Sequence, residues 1–354
     1  MSIAFDHTTL GQRVLFGTGR ARENAVAAIE GLGASRVLLI ADAFAMEVSD
    51  EIAAAAPVVA RIHDIVQHVP VENARAAVAL AEEERIDAIV TIGGGSSTGL
   101  AKVVARDTGL PIIAIPSTFA GSEATNVWGQ TEGSRKTTGV DDRVLPRVIV
   151  YDAALSASLP AHLATASGLN AVAHAVDGFW APRADPINAA LGTEGIRALF
   201  PGLRALHADP DDINAREQTL YGAYLAAVAF ASAGSGMHHK ICHVLGGAYA
   251  LSHAEMHAIV LAYVTAFNAP AAPDAADRVS SALGGASAAA GLYDLRASLG
   301  VVGSLAELGL KEEDIPEAAR LAAEAIPASN PRKVELSDVE GIIRAAWAGE
   351  PVEG

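Results

Sequence analysis

Ala88-Ile89-Val90-Thr91-Ile92-Gly93-Gly94-Gly95-Ser96-Ser97 is the stretch on which the fold turns. An apolar run ending in three glycines and two serines reads as a short buried strand that turns directly into a helix near Thr98. The same texture recurs around it. Residues 37–40 (VLLI) lead to Asp42, residues 111–116 (PIIAIP) to Ser117-Thr118, and residues 148–151 (VIVY) to Asp152. Ala-rich stretches with helical periodicity, such as 71–84, lie between them. Short apolar strands alternating with helices imply a parallel sheet covered on both faces. Beyond Asp152 the strand runs stop, and long Ala- and Leu-rich segments take over at 160–179, 187–207, 215–247 and 256–267. Gly284-Gly285 and residues 327–332 read as loops. The expected organisation is an α/β dinucleotide-binding domain over 1–155 with a parallel sheet, followed by an all-α substrate and catalytic domain over 156–354.

The composition narrows the function. With 51% hydrophobic and 19% charged residues, the chain of 354 is an ordered globular protein. A net charge of −16 argues against nucleic acid, whose phosphates need clustered Lys and Arg. An anionic ligand must therefore find a local positive site. Cys242 is the single cysteine, so no disulfide forms within the chain, as suits a reducing cytoplasm. The opening residues lack the charged and apolar regions of a secretory signal, and no run of about 18 apolar residues is present to span a membrane. A cytoplasmic enzyme acting on a small molecule is expected.

Gly93, Gly94, Gly95 and Ser96 offer close backbone approach and free N–H groups at a helix start, which suits a dinucleotide phosphate. The pattern is not the G-x-G-x-x-G fingerprint, and a tight connection is its bland alternative. Asp42 stands where a carboxylate can take an adenosine ribose hydroxyl, or simply cap a helix. Pro116 to Glu123 (PSTFAGSE) presents Thr118 and Ser122 for the nicotinamide or the substrate. Lys136 is a candidate for the cofactor phosphate or a substrate carboxylate.

Eight of the eleven histidines lie at or beyond residue 162. Asn170 and His174, then His239 and His243, stand four apart and so share helix faces, and His253 follows Gly246-Gly247. His238 and His257 are neighbours with a supporting role at most, and Cys242 reads as an apolar filler.

In its motif order the chain resembles the iron-containing alcohol dehydrogenase superfamily. The motifs are Gly93-Gly94-Gly95-Ser96, Pro116-Ser117-Thr118 with Gly121-Ser122-Glu123, Ser167-Gly168-Leu169-Asn170-Ala171-Val172-Ala173-His174, His239-x-x-x-His243-x-Leu245-Gly246, His253 and Phe267-Asn268. Within that superfamily it is most similar to the maleylacetate reductase branch. There the Pro-Ser-Thr-x-Ala-Gly-Ser-Glu form, Ser-Gly-Leu-Asn-Ala at 167–171, the stretch from Lys136 to Arg147 and His253-Ala254-Glu255-Met256-His257 carry the likeness. The resemblance implies that the superfamily's metal ligands fall at Asn170, His174, His239 and His253, with His243 the nearby non-ligand histidine. Asn170 replaces the expected carboxylate and removes the charge that offsets a cation, so no metal is expected to be required, although three histidines can still hold zinc.

The implied reaction is reduction of an enone dicarboxylate by NADH or NADPH, with Asp42 favouring NADH. His243, His174, His239 and His253 are the expected catalytic set, Asn170, Thr118 and Ser122 the expected substrate contacts, and protonated imidazoles would attract the carboxylates. A homodimer is implied by the superfamily. The rivals are a metal-dependent alcohol or polyol dehydrogenase, a dehydroquinate-synthase-like lyase and a ligand-binding module without turnover.

Overall fold

The computed structural model describes residues 4–133, 135–285 and 287–352. Two compact units divide the chain, Leu10–Pro160 and a second made of Ala161–Gly354 with the N-terminal residues to Thr9. The division thus falls at 160/161 instead of 155/156, where the first long helix of the second unit begins, and the start of the chain joins the helical unit. His7 contributes to that attachment through a 2.8 Å contact from its Nδ1 to Asp185.

The first unit runs β1 (Arg13–Phe16), α1 (Ala21–Gly31), β2 (Val37–Ala41), α2 (Met46–Ala55), β3 (Val58–Ile62), α3 (Val71–Glu83), β4 (Ala88–Gly93), α4 (Gly95–Thr108), β5 (Ile112–Pro116), β6 (Val127–Glu132), β7 (Arg135–Val140) and β8 (Val148–Tyr151). Six strands form a parallel sheet in the order β1-β8-β5-β4-β2-β3, and β6 and β7 make a separate antiparallel pair. Alternation along the strands sorts the core. Leu39, Val90, Ile92, Ile113 and Val150 pack with Ala25, Ile29 and Ile52 of α1 and α2. Leu38, Ile40, Ile89, Ile112 and Ala114 pack with Ala77, Leu100 and Val104 of α3 and α4. Helices on both faces are why these strands are continuously apolar.

The order reverses between β2 and β4, the switch point at which open α/β sheets bind ligands. β2, β4, β5 and β8 answer the expected runs; β1, β3 and the β6–β7 pair were not expected. α4 starts at Gly95, ahead of Thr98.

The second unit contains α5 (Ala161–Gly178), α6 (Pro186–Ala208), α7 (Ile213–Ala233), α8 (Met237–Tyr249), α9 (His253–Asn268), α10 (Pro273–Ala282), α11 (Ala288–Ser298), α12 (Ile315–Ala325) and α13 (Leu336–Ala348). The expected segment 215–247 is two helices. Gly234 ends α7 at φ 90°, Gly236 caps α8, and the pair bends by 96°. No single helix among the described residues is long and apolar enough to cross a membrane. Leu245, Met256, Ile259, Val264, Ile315 and Ile343 centre a core joining α8, α9, α12 and α13, which fixes the two histidine-bearing helices against each other.

Candidate active site

In the α/β unit, strand register brings the predicted cofactor residues abreast at the carboxyl ends of the strands. Gly93 pairs with Pro116, the Ser117 N–H donates to the Gly93 carbonyl at 3.0 Å, and the Asp42 N–H donates to the Ile92 carbonyl at 3.1 Å. Gly93 has φ 143°, and a Cβ there would collide with the Asp42 carboxylate and the Ser97 hydroxyl. Gly94 lies against the Thr118 side chain, and nothing crowds Gly95. Asp42 accepts the Phe44 N–H at 3.1 Å and the Gly94 N–H at 3.3 Å. It is therefore a cap, as its bland reading held, and it also holds the glycine turn. Burial pushes its carboxyl above the usual range, opposed by those backbone N–H groups. Ser122 opens a short 3-10 turn after Gly121, a few residues along the same segment as Thr118. The side chain of Lys136 lies outside the described residues.

In the helical unit, α5, α8 and α9 bring the histidines together. His174 and His239 stack at 5.1 Å between ring centroids, with planes 16° apart, and Phe230 of α7 lies 4.8 Å and 4.3 Å from the two rings. His243 is 6.0 Å from His239, and His253 is 4.2 Å from His257. Asn170, one turn before His174, is buried, and its Oδ1 has no hydrogen-bond partner. His174 and His239 are also buried, whereas His243 and His253 are exposed.

Burial pushes His174 and His239 well below the ordinary histidine range, and neighbouring imidazoles push the same way. Both effects weigh against the expectation that protonated imidazoles attract the substrate at these two positions. His238 and His257 are fully buried, and burial lowers both as well.

Sequence reasoning missed Asp177, which organises the cluster. Its fully buried carboxylate accepts the Gly236 N–H at 2.8 Å, the His238 N–H at 3.2 Å and His239 Nδ1–H at 2.9 Å. A side chain of α5 thereby caps α8 and fixes the His239 tautomer with Nε2 bare. A Cβ at Gly236 would run into this carboxylate. His238 Nε2 contacts the His257 carbonyl at 3.0 Å, which makes it a donor and ties α8 to α9. The only sequence signal for Asp177 was its position three residues after His174 and seven after Asn170, on the same helix face.

A glycine turn at the switch point of a parallel sheet, followed by a helical unit with an ordered histidine cluster, defines an oxidoreductase of the two-unit dehydrogenase class. Two family models match, one described as "Iron-containing alcohol dehydrogenase" over residues 11–153 and one as "Fe-containing alcohol dehydrogenase family, C-terminal" over 164–347. The chain belongs to the iron-containing alcohol dehydrogenase family. A maleylacetate reductase of Sphingobium indicum is 42% identical over 349 residues, 98% of each chain. The crystal structure of a maleylacetate reductase from Rhizobium sp. strain MTP-10005 is 39% identical, with TM-score 0.94 and 99% of both chains covered. A crystal structure described as an iron-containing alcohol dehydrogenase from Corynebacterium glutamicum is 49% identical, with TM-score 0.96, covering 99% of this chain and 98% of that one.

The family name implies iron, and the donor set can be tested against it. Nitrogen donors are plentiful: His239 Nε2 and His174 Nδ1 are buried without hydrogen-bond partners, and His238, His239 and His257 each place a ligand atom within 4.8 Å of the others. A carboxylate is missing, however. Asn170 stands at its position, and Asp177 is turned to Gly236, His238 and His239. Iron(II) sites of this kind pair imidazole with carboxylate, so this neutral set does not fit one.

Proposed function

We infer that this chain reduces the carbon–carbon double bond of maleylacetate to give 3-oxoadipate, a step in the breakdown of aromatic compounds, with NADH or NADPH as hydride donor. The observation that carries the reading is Asn170, a buried neutral amide at the carboxylate position, in a chain that matches maleylacetate reductases from end to end.

On the α/β unit, Gly93, Gly94, Gly95 and Ser96 hold the dinucleotide phosphates, Asp42 takes the adenosine ribose and disfavours a 2′-phosphate, and the Thr118–Ser122 segment serves the nicotinamide or the substrate. Hydride adds to the alkene carbon conjugate to the ketone, the C=C π electrons move toward the carbonyl, and an enolate forms. A proton then reaches the adjacent carbon. On the helical unit, exposed His243 polarises the ketone oxygen or supplies that proton, with His253 beside His257 and the buried His174 and His239 behind. An enone accepts hydride more readily than an isolated ketone, and for that reason we assign the reaction to these residues without a metal.

Steady-state NADH consumption tests the reading. Maleylacetate supports rapid NADH loss with 3-oxoadipate as product, while simple alcohols support no NAD+ reduction. Absence of turnover on maleylacetate would sink it. The second reading, a metal-dependent alcohol or polyol dehydrogenase, draws on the buried nitrogen donors and the Corynebacterium relative. It requires alcohol oxidation that appears only with added zinc or iron.

A further inference from the structure

Lys102 is the eighth residue of α4 and is fully buried. Its Nζ donates to the Ser122 carbonyl at 2.6 Å, the Val127 carbonyl at 2.8 Å and the Thr125 hydroxyl at 3.0 Å. Those three acceptors use all three ammonium hydrogens, and all belong to one short segment. Thr125 Oγ1 in turn donates to the Ser122 carbonyl at 3.2 Å. The segment is fastened at two more points. Buried Glu123 accepts the Tyr151 hydroxyl of β8 at 2.7 Å, and its main-chain carbonyl accepts Gln12 Nε2 at 2.9 Å. Glu123 is the charge facing Lys102. Burial lowers the Lys102 ammonium to about 7 against the pull of that carboxylate, and burial raises Glu123 itself.

A charge this deeply buried is costly, and a plain apolar contact would hold α4 to this segment as well. What the ammonium adds is direction. Gly94 caps the same helix and touches Thr118, so α4 carries the glycine turn at its first residues and the anchor of the Ser122 segment further along.

We propose that Lys102 is a positioning residue for the reaction: its ammonium sets the Ser122–Val127 segment, and with it the Ser122 hydroxyl, in fixed register with the dinucleotide turn of α4. This rests on the reading above, which places Thr118 and Ser122 at the nicotinamide or the substrate.

The test compares full-length wild type with Lys102→Met and Thr125→Val. Misplaced contacts of this kind cost up to about 100-fold in rate, so Lys102→Met should lower kcat on maleylacetate by at least about tenfold while leaving the NADH Kd, read by fluorescence, within about twofold. Amide exchange over 121–127 should rise at least about tenfold with the strands of the sheet still protected. If Lys102→Met does not fold, Thr125→Val, which removes one acceptor, carries the test with a kcat loss of about three- to tenfold and the same split. Wild-type kcat and loop protection in a folded variant overturn the proposal, as does an equal loss of NADH affinity and kcat. Should wild type itself not reduce maleylacetate, that reading fails alone, and the exchange comparison still decides whether Lys102 holds the segment.

Discussion

Asn170, His174 and Asp177 share one face of α5, yet they do three different things. Asn170 is a buried amide whose Oδ1 has no partner, His174 stacks on His239, and Asp177 turns away to cap α8 and hold the His239 ring. The four histidine positions and Asn170 were legible because their spacing survives in the chain itself. Asp177 was not, because a lone carboxylate in an Ala-rich helix looks like a solvated residue, and its partners arrive 59 to 62 residues later. Lys102 was hidden in the same way, two of its three acceptors being main-chain carbonyls that have no sequence signature. At this scale His243 is the side chain to which our proposal assigns the chemistry. Loss of a general acid typically costs about 100- to 10,000-fold, so His243→Ala should slow single-turnover hydride transfer by at least about 100-fold with NADH still bound. Unchanged single-turnover rates would remove His243 from the mechanism.

Two elements set the geometry, the β4–α4 turn and the α7–α8 bend. The turn was readable from its glycines, since a continuous apolar run ending in Gly-Gly-Gly leaves few alternatives. The bend was not read, although Ala233-Gly234-Ser235-Gly236 marks it, because helical periodicity continues on both sides. β1 and β3 were invisible for a related reason. Both are partly exposed edge strands without the continuous apolar run of buried ones. The β4–α4 turn carries its own prediction. An alanine at Gly93 must adopt φ near 143° and displace Asp42 and Ser97. Strain of that kind costs about 1–3 kcal/mol, so Gly93→Ala should weaken NADH binding by about 5- to 150-fold in a fluorescence titration. Wild-type affinity and an unshifted thermal midpoint together would show that the close approach at Gly93 has no part in binding.

For the whole molecule, the consequence of burying so many imidazoles is acid sensitivity. His174, His238, His239 and His257 are all held below the usual range, chiefly by burial. Each binds its proton less readily folded than unfolded, so its contribution is complete above the unfolded value and is lost as pH falls through about 6.5, by up to about 1.4 kcal/mol per unit and group. Asp42, Asp177 and Glu123, raised by burial, work in the opposite sense because the folded state takes up their protons first. Four imidazoles outnumber three carboxyls. Urea midpoints in the presence of a chelator should therefore fall from pH 7.5 to 5.5, and a flat profile would mean that the imidazoles are not neutral when folded. Lys102 acts in a different window. Its lowered value means that stability rises with pH between about 7 and its unfolded value near 10.5.

The family to which the chain belongs is named for iron, while we read its donor set as three imidazoles and an amide. The direct measurement is NADH-dependent reduction of maleylacetate before and after exhaustive chelation, with elemental analysis of the same sample. Full activity in protein that holds no iron or zinc is the predicted result; activity lost on chelation and restored only by one of those metals would contradict it.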